Sequence, residues 1–204
     1  MSLEIRLPRE KFNVTWDALS IFSVVVSLLC FLWISTWIDY APDLASKSML
    51  ALNLLFAGLV LGSFFVKHSI DYGIDKREFM KVVLYFIACV VAIMLGGAVI
   101  PHEAIEIRAW QFAVLIAAAE EVFFRYGVTS MLVNFTGEIP AVIMSALLFS
   151  VYHLAVYGET VDLALIFVGG LVLAYAFIKT RRLTPCILAH MLVNFLATYP
   201  YSIT

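Results

Sequence analysis

Charge is what this chain most lacks. Lys, Arg, Asp and Glu make up 14% of its 204 residues, against 63% for hydrophobic types. A soluble domain carries about 25% charged and about 45–50% apolar residues, so the scarcity excludes a water-soluble domain and implies an integral membrane one. Neither sign dominates. The formal net charge is −2, with no basic block or acidic tail, which argues against nucleic acid as a partner. Cysteine is sparse too: Cys30, Cys89 and Cys186 are far apart in apolar stretches. They read as small buried hydrophobes, not a disulfide framework or a metal knuckle. Period-2 alternation is missing and the apolar runs are too long for strands, so none is expected. No small-residue cleavage site follows the first apolar run, which is itself too long for a signal-peptide core; it reads as a retained span.

What is present is a series of apolar runs: Ala18–Ile38, Met49–Val66, Val82–Ile100, Ala109–Val133, Ile139–Tyr157, Val161–Ile178 and Pro185–Tyr199. Each is near the roughly 20 residues needed to cross the hydrocarbon core, the last being short. The expected fold class is therefore all-α: a polytopic transmembrane helical bundle of about seven spans with a polar catalytic cavity within the membrane. Residues 1–17 form a cytoplasmic N-terminal segment and 18–204 a single membrane domain. Lys and Arg set its orientation. Arg6, Arg9 and Lys11 precede span one, Lys67, Lys76, Arg77 and Lys81 follow span two, and Lys179, Arg181 and Arg182 follow span six. Only Lys47 and Arg108 lie in the opposite loops, so the N-terminus is expected inside and the C-terminus outside a cell (inner) membrane. Trp16, Trp33, Trp37, Tyr40 and Trp110 sit near span ends as interfacial anchors.

Gly58-x-x-x-Gly62 reads as a helix-packing motif, and Gly96-Gly97 and Gly169-Gly170 as points of close approach or bending. His68 and His102 fall at membrane edges. Asn53 and the serines of span one are expected to hydrogen-bond between helices. No internal repeat with broken helices in matching positions is visible, which weakens a transporter reading.

The chain is organised around Ala117-Ala118-Ala119-Glu120-Glu121-Val122-Phe123-Phe124-Arg125, inside the fourth span. A charge at the centre of a span costs roughly 2.5–3.5 kcal/mol on insertion scales, so three together must face a protein interior or a wet cavity. Glu121 and Arg125 are i,i+4 and can neutralise one another. Glu120 is rotated about 100° from Glu121 and must find partners on other helices. Span five places Phe149 and His153 on one face, and span seven does the same for His190 and Asn194. A single such His or Asn is ordinarily a satisfied interhelical hydrogen bond. Their co-occurrence near the middle of three spans points instead to one cavity lined by Glu120, His153, His190 and Asn194.

Glu-Glu-x-x-x-Arg, Phe-x-x-x-His and His-x-x-x-Asn, in that order on successive hydrophobic segments, resemble the CAAX-protease and bacteriocin-processing family of intramembrane endopeptidases. That family includes the type II CAAX prenyl proteases, which cut behind a lipid-modified cysteine. The resemblance covers about residues 109–199 and implies that Glu120 is the general base, with His153 helping to hold the water. It further implies that His190 and Asn194 form the oxyanion site, while Glu121, Arg125 and Phe149 give structural support. The expected partners are a membrane-anchored or lipidated substrate and the bilayer.

The chemistry agrees independently: hydrolysis needs a base to activate water and donors for the tetrahedral oxyanion. No Ser is placed with a His and an Asp as an evident triad, and no Cys neighbours a motif His. No cofactor is expected. If zinc were used, Glu120, His153 and His190 would hold it with water as the fourth ligand, but no His-Glu-x-x-His helix is present. A non-catalytic immunity or scaffold relative and a proton-coupled transporter are the competing readings, since buried Glu and His also serve proton relays.

Overall fold

The computed structural model describes residues 11–36, 39, 42–71, 77, 80–81, 83–88, 107–157 and 163–198. A short strand β1 (Phe12–Asp17) leads into α1 (Ala18–Ser35), and α2 (Pro42–Phe65) returns into β2 (Val66–Asp71). A continuous helical rod follows in three parts: α3 (Ile107–Glu121), a π-helical segment (Val122–Thr129) and α4 (Ser130–Thr136). Then come α5 (Glu138–Tyr157), α6 (Leu163–Thr180) and α7 (Thr184–Thr198). The described residues form an all-α helical bundle with one small strand pair attached.

Local chemistry sets the boundaries. Asp17 caps α1: its Oδ1 accepts the Ser20 N–H at 2.9 Å, and Ser20 Oγ accepts the Asp17 N–H at 3.1 Å. This reciprocal pair satisfies two otherwise orphaned donors. Pro42 opens α2, where its missing N–H loses nothing. Gly137, at φ 87°, ends α4 in the conformation that glycine adopts without a Cβ penalty. Arg181, also left-handed at φ 57°, makes the tight turn between α6 and α7. Its guanidinium stacks 3.7 Å over the Phe12 ring, which offsets backbone strain of order 1–3 kcal/mol.

Among the described residues, four helices are long and apolar enough to cross a membrane: Ala18–Ser35, Pro42–Phe65, Glu138–Val156 and Leu163–Thr180. Their outward faces carry Phe22, Leu29, Phe56, Phe64, Leu147 and Val151, all exposed, a surface suited to lipid. The protein is an integral membrane protein. α7 is shorter, and the rod from α3 to α4 carries the buried charges. Most of the expected third span, Val82–Ile100, lies outside the described residues, as do Gly96-Gly97, His102 and Cys89.

Two expectations are corrected. Strands do occur: β1 and β2 pair in parallel from Phe12↔Val66 to Asp17↔Asp71. Six residues just outside a span are too few for an alternation search to register. Their backbone groups still need partners, and the α1–α2 hairpin supplies the crossover that parallel pairing requires. Asn53 is exposed and not an interhelical bonder among the described residues. Ser27 is one, donating to the Leu115 carbonyl at 3.2 Å.

The glycine pairs do bring backbones together. A Cβ on Gly58 would lie 2.6 Å from Phe123 Cα, and one on Gly62 would enter the Tyr126 ring, so α2 lies directly against the π-helical segment. Gly170 approaches Ala146 in the same way, 3.1 Å from its Cα. The core is centred on α3, whose Ala117, Ala118 and Ala119 are fully buried. Alanine there lets α1, α2 and α7 close around the two glutamates that follow.

Candidate active site

Glu120 and Glu121 end α3 where the helix widens. Beyond them, Val122–Thr129 is π-helical and the Ser130 backbone N–H donates to the Arg125 carbonyl. Thr129 Oγ1 also donates to the Phe124 carbonyl at 2.7 Å and Ser130 Oγ to the Arg125 carbonyl at 3.3 Å. Such i→i+5 segments are rare and recur at functional sites. Seven of the eight residues in this one are buried.

Glu121 and Arg125 are completely inaccessible and paired as the spacing predicts. Arg125 Nε donates to Glu121 Oε2 at 2.9 Å and Nη2 to Oε1 at 3.4 Å. Arg125 Nη1 also reaches Ser145 Oγ at 3.4 Å, and the guanidinium lies 4.8 Å from the Phe149 ring centroid. Phe149 in turn touches His153 at 4.3 Å and Phe124 and His190 at 5.0 and 5.8 Å between ring centroids. One aromatic ring thus joins the ion pair to both histidines.

Glu120 is 1% exposed. Its Oε2 lies 3.6 Å from His190 Nε2 and 4.0 Å from His153 Nε2, so α3, α5 and α7 converge there. Each imidazole is held from behind. His153 Nδ1 meets the Phe149 carbonyl at 3.0 Å and therefore carries the proton as donor. His190 Nδ1 lies 2.9 Å from Glu121 Oε1, a carboxylate that only accepts while ionised, so Nδ1 donates there too. His190 Nε2 can then present a proton only when the ring is doubly protonated. Asn194 Nδ2 donates to the Ala113 carbonyl at 2.6 Å, tying α7 to α3.

The four predicted polar residues therefore gather on three helices, with Asn194 set against the helix of Glu120. Sequence reasoning missed the tie between Glu121 and His190, 69 residues apart, and the Ser145 contact behind Arg125. It also missed a second polar centre made by Asp17, Arg182 and Thr184. For Asp17 a signal was available, since Asp-x-x-Ser before an apolar run is a helix-start pattern. Among the described residues no three His, Cys, Asp or Glu side chains form a set able to hold a metal ion.

A cleft of about 210 Å³ is lined by Ser46, Lys47, Leu50, Ile116 and Val156. Ile116 precedes Glu120 by one helical turn, about 6 Å along the axis, and Val156 follows His153 by three residues.

No curated protein and no solved structure matches the chain. Residues 103–196 match the family model described as type II CAAX prenyl endopeptidase Rce1-like. That segment holds Glu120, Glu121, Arg125, Phe149, His153, His190 and Asn194, and the matched family is one of proteases. Over these residues, a little under half of its length, the chain is similar to the CAAX-protease and bacteriocin-processing endopeptidases, which supports a relationship to that family.

Proposed function

We propose that this protein hydrolyses a peptide bond of a membrane-associated protein, near a lipidated C-terminal cysteine, by a glutamate-dependent mechanism without a metal. The observation that carries the reading is the convergence of Glu120, His153 and His190 in a buried site between three helices. Partners 4.0 Å apart can share one water at about 2.8 Å from each. In this mechanism Glu120 takes a proton from the water held with His153, and the hydroxide attacks the scissile carbonyl. The tetrahedral oxyanion accepts hydrogen bonds from the doubly protonated His190 and from Asn194. Glu120 then returns the proton to the departing amine as the C–N bond breaks. The ring charge on His190 lies between Glu120 and Glu121, which offsets the burial of two carboxylates beside one arginine.

The cleft beside Ile116 and Val156 is the substrate path, since its lining comes within one turn of both working side chains. A scaffold would not require Glu120 and two imidazoles to face one another, and a transporter would require a second access route. Under the same reading residues 18–204 form one membrane domain of the inner membrane, with residues 1–17 on the cytoplasmic side.

The test is turnover of a farnesylated C-terminal reporter peptide by purified protein in lipid nanodiscs. Glu120→Gln is expected to abolish cleavage while keeping the wild-type melting temperature within a few degrees, and exhaustive chelation is expected to leave wild-type activity intact. Full turnover by folded Glu120→Gln would remove Glu120 from the chemistry. Activity lost to chelation and restored only by zinc would overturn the metal-free choice.

A further inference from the structure

β1 lies outside the matched residues 103–196, yet it grips the start of the helix that carries His190 and Asn194. Thr15 donates its backbone N–H to the Arg181 carbonyl at 2.8 Å and forms a parallel bridge with Arg182. Two residues on, Asp17 is completely buried. Its Oδ1 caps α1 through Ser20 and also accepts the hydroxyl of Thr184, the first residue of α7. Its Oδ2 faces Arg182 Nη1 at 3.7 Å, while Arg182 Nη2 reaches Asp71 Oδ2, at the end of β2, at 3.0 Å. A single buried carboxylate thus joins β1, α1, β2 and the α6–α7 turn.

Helix capping does not require this charge, because Asn or Ser caps about as well as Asp. A buried ion pair is moreover a poor source of stability unless its atoms are fully hydrogen-bonded, and neither Asp17 Oδ2 nor Arg182 Nη1 has a hydrogen-bond partner among the described residues. What the arrangement does define is position. His190 follows Thr184 by six residues, about 9 Å along a helix. Any axial slip of α7 therefore passes directly to His190 Nε2 against Glu120, at 3.6 Å, and to Nδ1 against Glu121, at 2.9 Å.

We propose that Asp17, acting through Thr184 and Arg182, is a positioning residue for the candidate site: β1 sets the seating of α7 and with it the reach of His190 to both glutamates. The kinetic consequence rests on the endopeptidase reading; the geometric one does not.

The experiment compares Thr184→Val, Thr184→Ser and Asp17→Asn with the wild type in nanodiscs. One readout is turnover of the farnesylated reporter peptide. The other is the nitrogen-15 NMR signal of the Nδ1–H of His190, assigned by its loss in His190→Gln. Thr184→Val is expected to lower kcat by about 10-fold to 100-fold, the scale of a misplacement near 1 Å, with KM changed by less than about twofold, and to shift the His190 Nδ1–H signal. Thr184→Ser, which keeps the hydroxyl, is expected to restore both. Should Thr184→Val fail to fold, Asp17→Asn, which keeps the cap, is read against the same two outcomes. A folded variant with unchanged kcat and an unmoved His190 signal would overturn the proposal. If the wild type cleaves nothing, the endopeptidase reading falls, while the His190 signal still decides whether Asp17 and Thr184 position α7.

Discussion

Glu121 is the residue whose role changes most between spacing and structure. Four-residue spacing pairs it with Arg125, and the bond of 2.9 Å agrees. It also accepts His190 Nδ1–H at 2.9 Å, so it braces the helix and orients an imidazole at once. Such an outer carboxylate typically fixes the tautomer and ring orientation of the histidine it holds. Removing one partner of a buried ion pair costs about 3–5 kcal/mol in typical cases. Glu121→Gln is therefore expected to lower yield and melting temperature, and adding Arg125→Gln should recover part of that loss. Full recovery is not expected, because His190 loses its carboxylate partner and Ser145 the Arg125 guanidinium; a double-mutant cycle by thermal unfolding measures the coupling. A strictly additive double mutant would break the pairing argument. The pair with Arg125 was legible because it lies within one helix turn. The bond to His190 was not, because only the packing of α3 against α7 creates it.

At the level of elements, the π-helical segment and α2 form one unit. Val122–Thr129 offers a backbone surface that Gly58 meets without a side chain. Gly58→Ala sets a Cβ 2.6 Å from Phe123 Cα; overpacking of this kind typically costs about 1–3 kcal/mol. The displaced segment begins one residue after Glu121, so activity is expected to fall together with melting temperature. Gly137→Ala is the control. Nothing lies within 4 Å of its Cβ position, so only positive-φ backbone strain of roughly 1–3 kcal/mol applies, and specific activity is expected to survive. Equal loss of specific activity in the two variants would show that α2 has no particular hold on the site. The Gly-x-x-x-Gly pattern announced close packing, but it did not identify the partner. The π-helical geometry left no signature in residue type, and the contact between Thr129 and Ser145 at 2.7 Å joins two helices that only the tertiary packing brings together.

For the whole molecule, the described parts of the three basic segments expected on one side meet at one end of the bundle. β1 begins just after Lys11, Lys67 lies on β2, and the α6–α7 turn bridges to Thr15. Lys179 and Arg181 are further drawn to Glu138 at the start of α5, at 2.9 and 3.0 Å. Single cysteines at Lys11, Lys67 and Lys179, all exposed, are expected to react with an impermeant reagent only from the cytoplasmic face. One at Lys47, in a background lacking Cys30, Cys89 and Cys186, should react only from the other. Labelling of Lys67 and Lys179 from opposite faces would contradict the packing of β2 against the α6–α7 turn.

By itself the sequence determined the membrane class, the helical fold and which polar side chains share a helix face. Each rests on local periodicity: long apolar runs, and charges or imidazoles at spacings that one helix turns to a common face. It could not determine which nitrogen of His190 faces which glutamate, nor that Asp17 would reach Thr184 across 167 positions of chain. Those contacts belong to different helices, and their distances follow from how alanine and glycine faces let the helices approach. The strand pair escaped for the same reason: six residues beside a span become a strand only when another segment arrives to share their hydrogen bonds.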